Sequence, residues 1–329
     1  MASKVTVLGA GTWGVSLARM LAKEKHSVKV WSAVSEEIDR LVRTYTHPNI
    51  GGMNLPDTIR FTKNIENAVS DAEIIVLAVP SVFVRETARK MSEFVSEGTI
   101  IVDAAKGMED GTFMTLSEVI KEEVPQGRVA VLSGPTHAEE VAFDIPTAVV
   151  AASDDEEVAI KVQEVFMTKN FRVYTNTDTR GVEVAGAIKN IMALGVGICR
   201  GLGCGDNTTA ALITRGLSEI VALGEAMGCS KETFYGLAGI GDLIVTCTSV
   251  HSRNFRAGKL IGEGKSAKAA VEEIGMVVEG INMLPAAMHL CEKYGIDMPI
   301  AKRVDAVVAG KMPARKALEE LMTRSKRGE

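Results

Sequence analysis

Lys189 stands in the middle of EVAGAIKNIMALGVG (residues 183–197), a run that is otherwise almost wholly apolar and that reads as a helix. A long cation there has two readings. It is a stem that snorkels to water, paired with Glu183 or another surface acid, or it is a buried group with a task such as proton transfer. Two further sets lie downstream. In Gly236-Leu-Ala-Gly239-Ile-Gly241-Asp242, three glycines stand next to a carboxylate, which indicates close backbone approach. Ser252-Arg253-Asn254 then supplies a hydroxyl, a guanidinium fork and an amide in succession, a set able to grip a phosphate or a carboxylate. The plainer alternative is a helix start, with Ser252 as N-cap and Arg253 and Asn254 in solvent.

Near the N-terminus, Gly9-Ala10-Gly11-Thr12-Trp13-Gly14 links the β-rich run KVTVL to the helical pattern VSLARMLAKE. A second β-rich run, VKVW, follows about twenty residues on, the context in which G-x-G-x-x-G binds a dinucleotide. Gly9 permits the tight turn, Gly11 lets a pyrophosphate approach the backbone, and Gly14 allows close helix–strand packing. The helix N-terminus then faces the phosphates. The alternative is a glycine turn with no ligand. Trp31-Ser32-Ala33 closes the second run without the carboxylate that usually holds the ribose 2′-OH of NAD. Nothing there repels a 2′-phosphate and no arginine grips one, so both NAD and NADP are admitted. Such a cofactor implies hydride transfer but does not name the substrate.

The elements that must position these residues follow two patterns. From residue 4 to about 175, short runs (KVTVL, SVKVW, EIIVLAV, GTIIVDA, RVAVLSG, PTAVVAA, FRVYT) alternate with helical segments. Near-continuous apolar strands separated by helices predict a parallel sheet covered on both faces, the doubly wound Rossmann-type α/β fold. Beyond Thr179-Arg180-Gly181 the strand signals stop, and an all-α domain is expected. The boundary is placed at 180, giving a dinucleotide-binding domain at 1–180 and a helical substrate domain at 181–329. Ligands of open α/β sheets lie beyond the carboxyl ends of the strands. Three loops fall there: Val79-Pro80-Ser81, Ala105-Lys106-Gly107 and Ser133-Gly134-Pro135-Thr136. Lys106 is thereby placed near the nicotinamide, or else is a solvated loop lysine. Thr136-His137-Ala138-Glu139 fits a capping box, so Thr136 has a structural reading as well.

Composition removes several function classes. The 329 residues carry a formal net charge of −5, which leaves no basic surplus for a nucleic-acid backbone. The five cysteines form no C-x-x-C and are odd in number, as expected of reduced thiols in a cytoplasmic protein. With five histidines and no H-E-x-x-H, no metal site is expected. The N-terminus runs straight into a strand without a signal peptide, and the apolar run at 191–199 reads as too short and glycine-rich to span a bilayer.

In their order and spacing, GAGTWG, AKG, SGPT, VAGAIKN, GLAGIGDL and SRN closely resemble NAD(P)-dependent glycerol-3-phosphate dehydrogenase of the bacterial type, along nearly the whole chain. The resemblance implies reversible reduction of dihydroxyacetone phosphate to sn-glycerol 3-phosphate, a supply of glycerol phosphate for phospholipid synthesis, a cytoplasmic location and a possible homodimer. It implies Lys189 as the catalytic acid/base and Asp242 as the group ordering it and the substrate hydroxyls. Ser252, Arg253 and Asn254 would bind the glycerol phosphate, with Arg253 also reaching the cofactor. Lys106 would contact both ligands, and Gly134 and Thr136 would line the substrate site. Ala138, Val277 and Glu279 would lie on the cofactor, beside Gly9, Gly11, Thr12, Trp13 and Gly14. Two departures stand out. Many relatives have an arginine where this chain has Ala33, and a tyrosine-containing loop near Ile50-Gly51-Gly52-Met53.

In the implied reaction, hydride reaches the C2 carbonyl carbon while protonated Lys189 stabilises the oxygen and delivers a proton. The reducing direction needs the charged lysine. Two rivals remain. One is a related two-domain dehydrogenase of a 3-hydroxy acid or ketopantoate; adjacency of Lys189 and Asn190 and the G-D-L and S-R-N pair argue for the phosphate substrate instead. The other is a non-catalytic, dinucleotide-binding redox sensor, which would need neither Lys189 nor Arg253.

Overall fold

A computed structural model describes residues 2–325. The Cα trace divides into two compact units, Met1–Glu109 with Met114–Glu183, and Asp110–Phe113 with Val184–Glu329.

The first unit is built on an eight-stranded sheet. Its strands are β1 (Lys4–Leu8), β2 (Ser27–Trp31), β5 (Arg60–Thr62), β6 (Ile74–Leu77), β7 (Ile100–Asp103), β8 (Arg128–Ser133), β9 (Thr147–Ala152) and β10 (Phe171–Asn176). They lie in the order β10-β9-β8-β7-β6-β1-β2-β5. The strand order reverses between β1 and β6, which makes their carboxyl ends the ligand-binding switch point. Side chains alternate across the sheet with period two. Ile74, Val76 and Val102 join one core with Val5, Val7 and Val30. Ile75, Leu77 and Ile101 join the core on the opposite face with Leu8 and Val129. Both faces are therefore buried, which is why these strands read as unbroken apolar runs.

The sheet departs from the expected parallel arrangement at one place. β8 and β9 pair antiparallel, and β10 then pairs parallel to β9. The connection from β8 to β9 contains one helix, the four-residue Ala138–Val141. That single turn is too short to cross the sheet face as a βαβ crossover helix does, and the chain doubles back instead. Three elements had no signal in the sequence. Thr46–His47 (β3) and Ile50–Asn54 (β4) form a small antiparallel pair, and β5 is a three-residue edge strand. Gly51 and Gly52 in β4 supply no side chains to alternate.

The second unit is helical; among the described residues no strand follows β10. Its longest helix, Thr179–Gly201, has 23 residues, longer than the apolar run that sequence reading took as too short for a bilayer. By length and apolarity alone it could cross one, but its apolar window is wholly buried inside the protein. It crosses the helix Arg253–Gly262 with backbone against backbone. A Cβ at Gly197 would collide with the Phe255 carbonyl, one at Gly258 with that of Leu194, and one at Gly262 with that of Ile198. This close crossing fixes Arg253 and Asn254, at the start of one helix, relative to Lys189 and Asn190 on the other.

Candidate functional site

In the first unit the glycine loop sorts its three glycines by what surrounds them. Gly9 takes φ +120 and leaves no room for a Cβ beneath Ala78. Gly14 is equally constrained, by the Gly9 carbonyl and the Ala78 side chain. Gly11 is different, since a Cβ there would meet no protein atom within 4 Å. Packing therefore explains Gly9 and Gly14, while the space above Gly11 stays open. Gly11 also precedes the helix Thr12–Lys23, whose N-terminus no side chain caps. An open, uncapped helix start suits a pyrophosphate. Thr12 and Trp13 begin that helix half-buried, with Trp13 packed on the core.

Two supports of this loop escaped sequence reading. Buried His47 hydrogen-bonds the Ala10 backbone, and its Nδ1 accepts from Asn49 N at 3.2 Å. Burial lowers its pKa, which keeps the accepting nitrogen unprotonated. Ser32 Oγ donates to Glu37 Oε2 at 2.6 Å. A carboxylate therefore does stand beside the end of β2, contrary to the reading of Trp31-Ser32-Ala33. It comes from the first turn of the next helix, Ser35–Thr44, folded back on Ser32.

The loops after β7 and β8 converge. Lys106 Nζ donates to the Gly134 carbonyl at 2.8 Å and to Thr136 Oγ1 at 3.2 Å. Thr136 Oγ1 donates to the same carbonyl at 3.1 Å. The expected capping box does not form. The helix begins at Ala138 with His137 as its N-cap residue and no side-chain cap, because Thr136 is turned toward Gly134 and Lys106. The Ala138 carbonyl accepts from Ser16 Oγ at 3.0 Å, which joins this loop to the glycine-loop helix. Asp103, at the end of β7, is fully buried and accepts from Ala105 N at 3.0 Å. Burial, with Glu183 adding like charge, raises its pKa well above the usual carboxylate value.

In the second unit Lys189 is 4% exposed. Its Nζ lies 2.5 Å from Asp242 Oδ1 and 2.6 Å from Thr246 Oγ1. Glu183, the surface partner considered for it, instead accepts from Ser117 N at 2.8 Å and Ser117 Oγ at 2.5 Å. Lys189 does not snorkel. Asp242 opens the helix Asp242–Thr248 directly after a π-helical turn, Leu237–Gly241, in which Gly239 lies too close to the Phe234 backbone for any side chain. Thr246 is one turn after Asp242 on the same face and donates to the Asp242 carbonyl at 2.6 Å. That i, i+4 spacing was the available signal for Thr246.

A second network ties three segments. Asn254 Nδ2 donates to Asn190 Oδ1 at 2.8 Å, and Asn254 Oδ1 accepts from Gly280 N at 2.8 Å. Gly280 sits so close to the Asn190 carbonyl that a Cβ would come within 2.5 Å. Val277 and Glu279, both half-buried, flank this contact. Ser252 Oγ accepts from Phe255 N at 3.2 Å and caps the helix, with half-buried Arg253 in its first turn.

Models of the NAD-dependent glycerol-3-phosphate dehydrogenase N-terminus and C-terminus match residues 4–159 and 178–319. The chain belongs to this family. A glycerol-3-phosphate dehydrogenase [NAD(P)+] of Lactobacillus delbrueckii subsp. bulgaricus is 56% identical over 99% of both chains. The glycerol-3-phosphate dehydrogenase [NAD(P)+] of Agathobacter rectalis is 50% identical over 99% of this chain and 97% of its own. The crystal structure of glycerol-3-phosphate dehydrogenase from Coxiella burnetii superposes with a TM-score of 0.94 at 36% identity, covering 98% of this chain and 99% of that one. A ketopantoate reductase of Ralstonia eutropha, at 16% identity and a TM-score of 0.65, shares the fold alone. The buried lysine–aspartate–threonine cluster is a part of this geometry able to do acid–base chemistry.

Proposed function

We propose that this protein reduces dihydroxyacetone phosphate to sn-glycerol 3-phosphate with NADH or NADPH, reversibly, and so supplies glycerol phosphate for phospholipid synthesis. The observation that carries the reading is a buried ammonium, Lys189, held on Asp242 and Thr246 in a chain of this family. The dinucleotide, when bound, supplies the hydride. The glycine loop holds its pyrophosphate over Gly11, and Lys106 and Thr136, with Gly134 beneath them, face both ligands. Glu37 beside Ser32 favours a ribose 2′-OH over a 2′-phosphate.

Lys189 stabilises the charge that develops on the C2 oxygen and hands it a proton; in the oxidising direction it takes the proton back. Asp242 and Thr246 aim the ammonium. Arg253 takes the remote phosphate, and Asn254 offers its second Nδ2 hydrogen. That binding energy positions C2. Ser252 contributes by capping the helix and so fixing Arg253 in its first turn. Ala138, Val277 and Glu279 contribute to the dinucleotide site.

Purified protein mixed with reduced nicotinamide cofactor tests the reading by absorbance. The expected result is oxidation that requires dihydroxyacetone phosphate and fails with unphosphorylated dihydroxyacetone. No turnover by protein that binds dinucleotide would overturn it. We further propose a cytoplasmic homodimer. Five free thiols and the exposed apolar Tyr235, Ile244 and Val250 support this, and light scattering with cell fractionation tests it.

A further inference from the structure

The helix Thr179–Gly201 ends in a turn that joins two cysteines. Leu202 N donates to the Ile198 carbonyl, Gly203 N to that of Arg200, and Cys204 N to that of Cys199, each at 3.0 Å. Gly203 takes φ +87, in the left-handed region. This is a Schellman-type close, in which the residue after the left-handed glycine bonds back to a carbonyl five residues earlier. The motif brings the side chains of its first and last residues together. Here those are Cys199 and Cys204. Cys199 is buried, whereas Cys204 is partly exposed. Arg200 stands over the turn, donating to the Cys204 carbonyl at 3.4 Å and pairing with Asp206.

We propose that Cys199 and Cys204 form an oxidisable dithiol, a modification site for hydrogen peroxide at the end of the helix that carries Lys189. Cys204, the exposed member, meets the oxidant. Its thiolate sulfur attacks one peroxide oxygen, the O–O bond breaks, and hydroxide leaves and becomes water with the proton the thiol released. The Cys204 sulfenic acid that results is then attacked by the Cys199 sulfur. The S–S bond forms, the S–O bond breaks, and the departing hydroxide leaves as water with the Cys199 proton. Two thiols and one peroxide give one disulfide and two waters, with two electrons passing from sulfur to oxygen.

The backbone hydrogen bond from Cys204 N to the Cys199 carbonyl, at 3.0 Å, closes the turn between the two residues and gives the backbone proximity that a disulfide requires. Burial pushes the Cys199 thiol up to about 12, so Cys199 is the sulfur that closes the bridge and Cys204 the one that meets the oxidant. The other three cysteines, Cys229, Cys247 and Cys291, are buried, and none ends this turn. Gly201, inside the motif, packs against the Lys259 carbonyl and Gly262, so the bridge pins the end of the helix that begins at Arg253.

The test uses the intact protein and does not depend on turnover. Titratable thiols and intact mass are followed under hydrogen peroxide, with peptide mapping. The expected result is a fall from five thiols to three, a disulfide mapped to Cys199 and Cys204, and full recovery with dithiothreitol. Cys204→Ser keeps its four thiols, and Cys199→Ser stops at a Cys204 sulfenic acid that a carbon-acid reagent traps. Five unchanged thiols, oxidation mapped to Cys229, Cys247 or Cys291, or Cys204 sulfinic acid beside a reduced Cys199 would each overturn the proposal.

Discussion

Lys189 Nζ lies 2.5 Å from Asp242 Oδ1, with both residues almost completely buried and Thr246 Oγ1 completing the cluster. A pair this deep loses hydration on both sides and is held by mutual attraction and hydrogen bonds. Its geometry fixes where the ammonium points, which a surface lysine does not have. Lys189→Met should lower kcat by roughly 10²- to 10⁴-fold, the usual worth of a positioned acid/base, with KM for dihydroxyacetone phosphate little changed. Steady-state kinetics decides this, and an unchanged kcat would remove Lys189 from the mechanism.

The same pair makes a stability prediction. Asp242→Ala leaves an ammonium buried without its counter-charge and should cost about 3–5 kcal/mol. Replacing both partners, Lys189→Met with Asp242→Leu, should recover most of that loss. Urea unfolding of the single and double variants measures the difference. A double variant no more stable than Asp242→Ala would show that the charge left behind is not the cause.

Arg253→Ala should raise KM for dihydroxyacetone phosphate strongly while leaving activity on unphosphorylated dihydroxyacetone almost unaffected. The guanidinium fork matches a phosphate, and removing it takes away binding remote from the reacting carbon. An equal loss on both ketones would place Arg253 elsewhere.

Glu37→Gln should shift the ratio of kcat/KM toward NADPH, because the carboxylate that Ser32 holds is lost. The expected size is several-fold to tenfold, read from kcat/KM for each reduced cofactor. Glu37→Gln with the ratio unchanged would separate Glu37 from cofactor choice.

Two buried carboxyls predict the pH dependence of stability. Burial raises the pKa of Glu183 to about 7, and that of Glu219 to about 7. Glu219 accepts from Ile300 N at 2.8 Å and Ala301 N at 3.3 Å, at the start of the helix Pro299–Val308. The folded state binds these protons more tightly than the unfolded state, where a glutamate titrates near 4.5. Their contribution is therefore full below about pH 4.5 and lost as pH rises toward 7. The melting temperature should fall across that window. Glu219→Gln should flatten the fall, and a profile identical to the parent's would show that Glu219 does not titrate there.

Much of the architecture was legible in the chain itself. Seven β-rich runs gave seven strands, because strands covered on both faces must be apolar throughout. The β3–β4 pair was not legible, since Gly51 and Gly52 carry no pattern, and neither was β5, three residues at an edge. The antiparallel β8–β9 pairing depends on a connection whose helical part is four residues long, and residue types do not reveal that length.

The sequence by itself determined the glycine loop, the apolar helix around Lys189 and the segments Gly236–Asp242 and Ser252–Asn254, because each is a local pattern of residue types. Only the tertiary structure decided the partners. It gave Lys189 to Asp242 and Thr246 and not to Glu183, turned Thr136 from a cap into a contact of Lys106, and folded Glu37 back to the end of β2. Local patterns fix backbone conformation over a few residues. Which side chains meet across a turn between elements, as Ser32 and Glu37 do, or across 53 residues, as Lys189 and Asp242 do, depends on how helices and strands pack, and around Lys189 that packing rests on bare glycine surfaces such as Gly197 against Phe255 and Gly280 against Asn190.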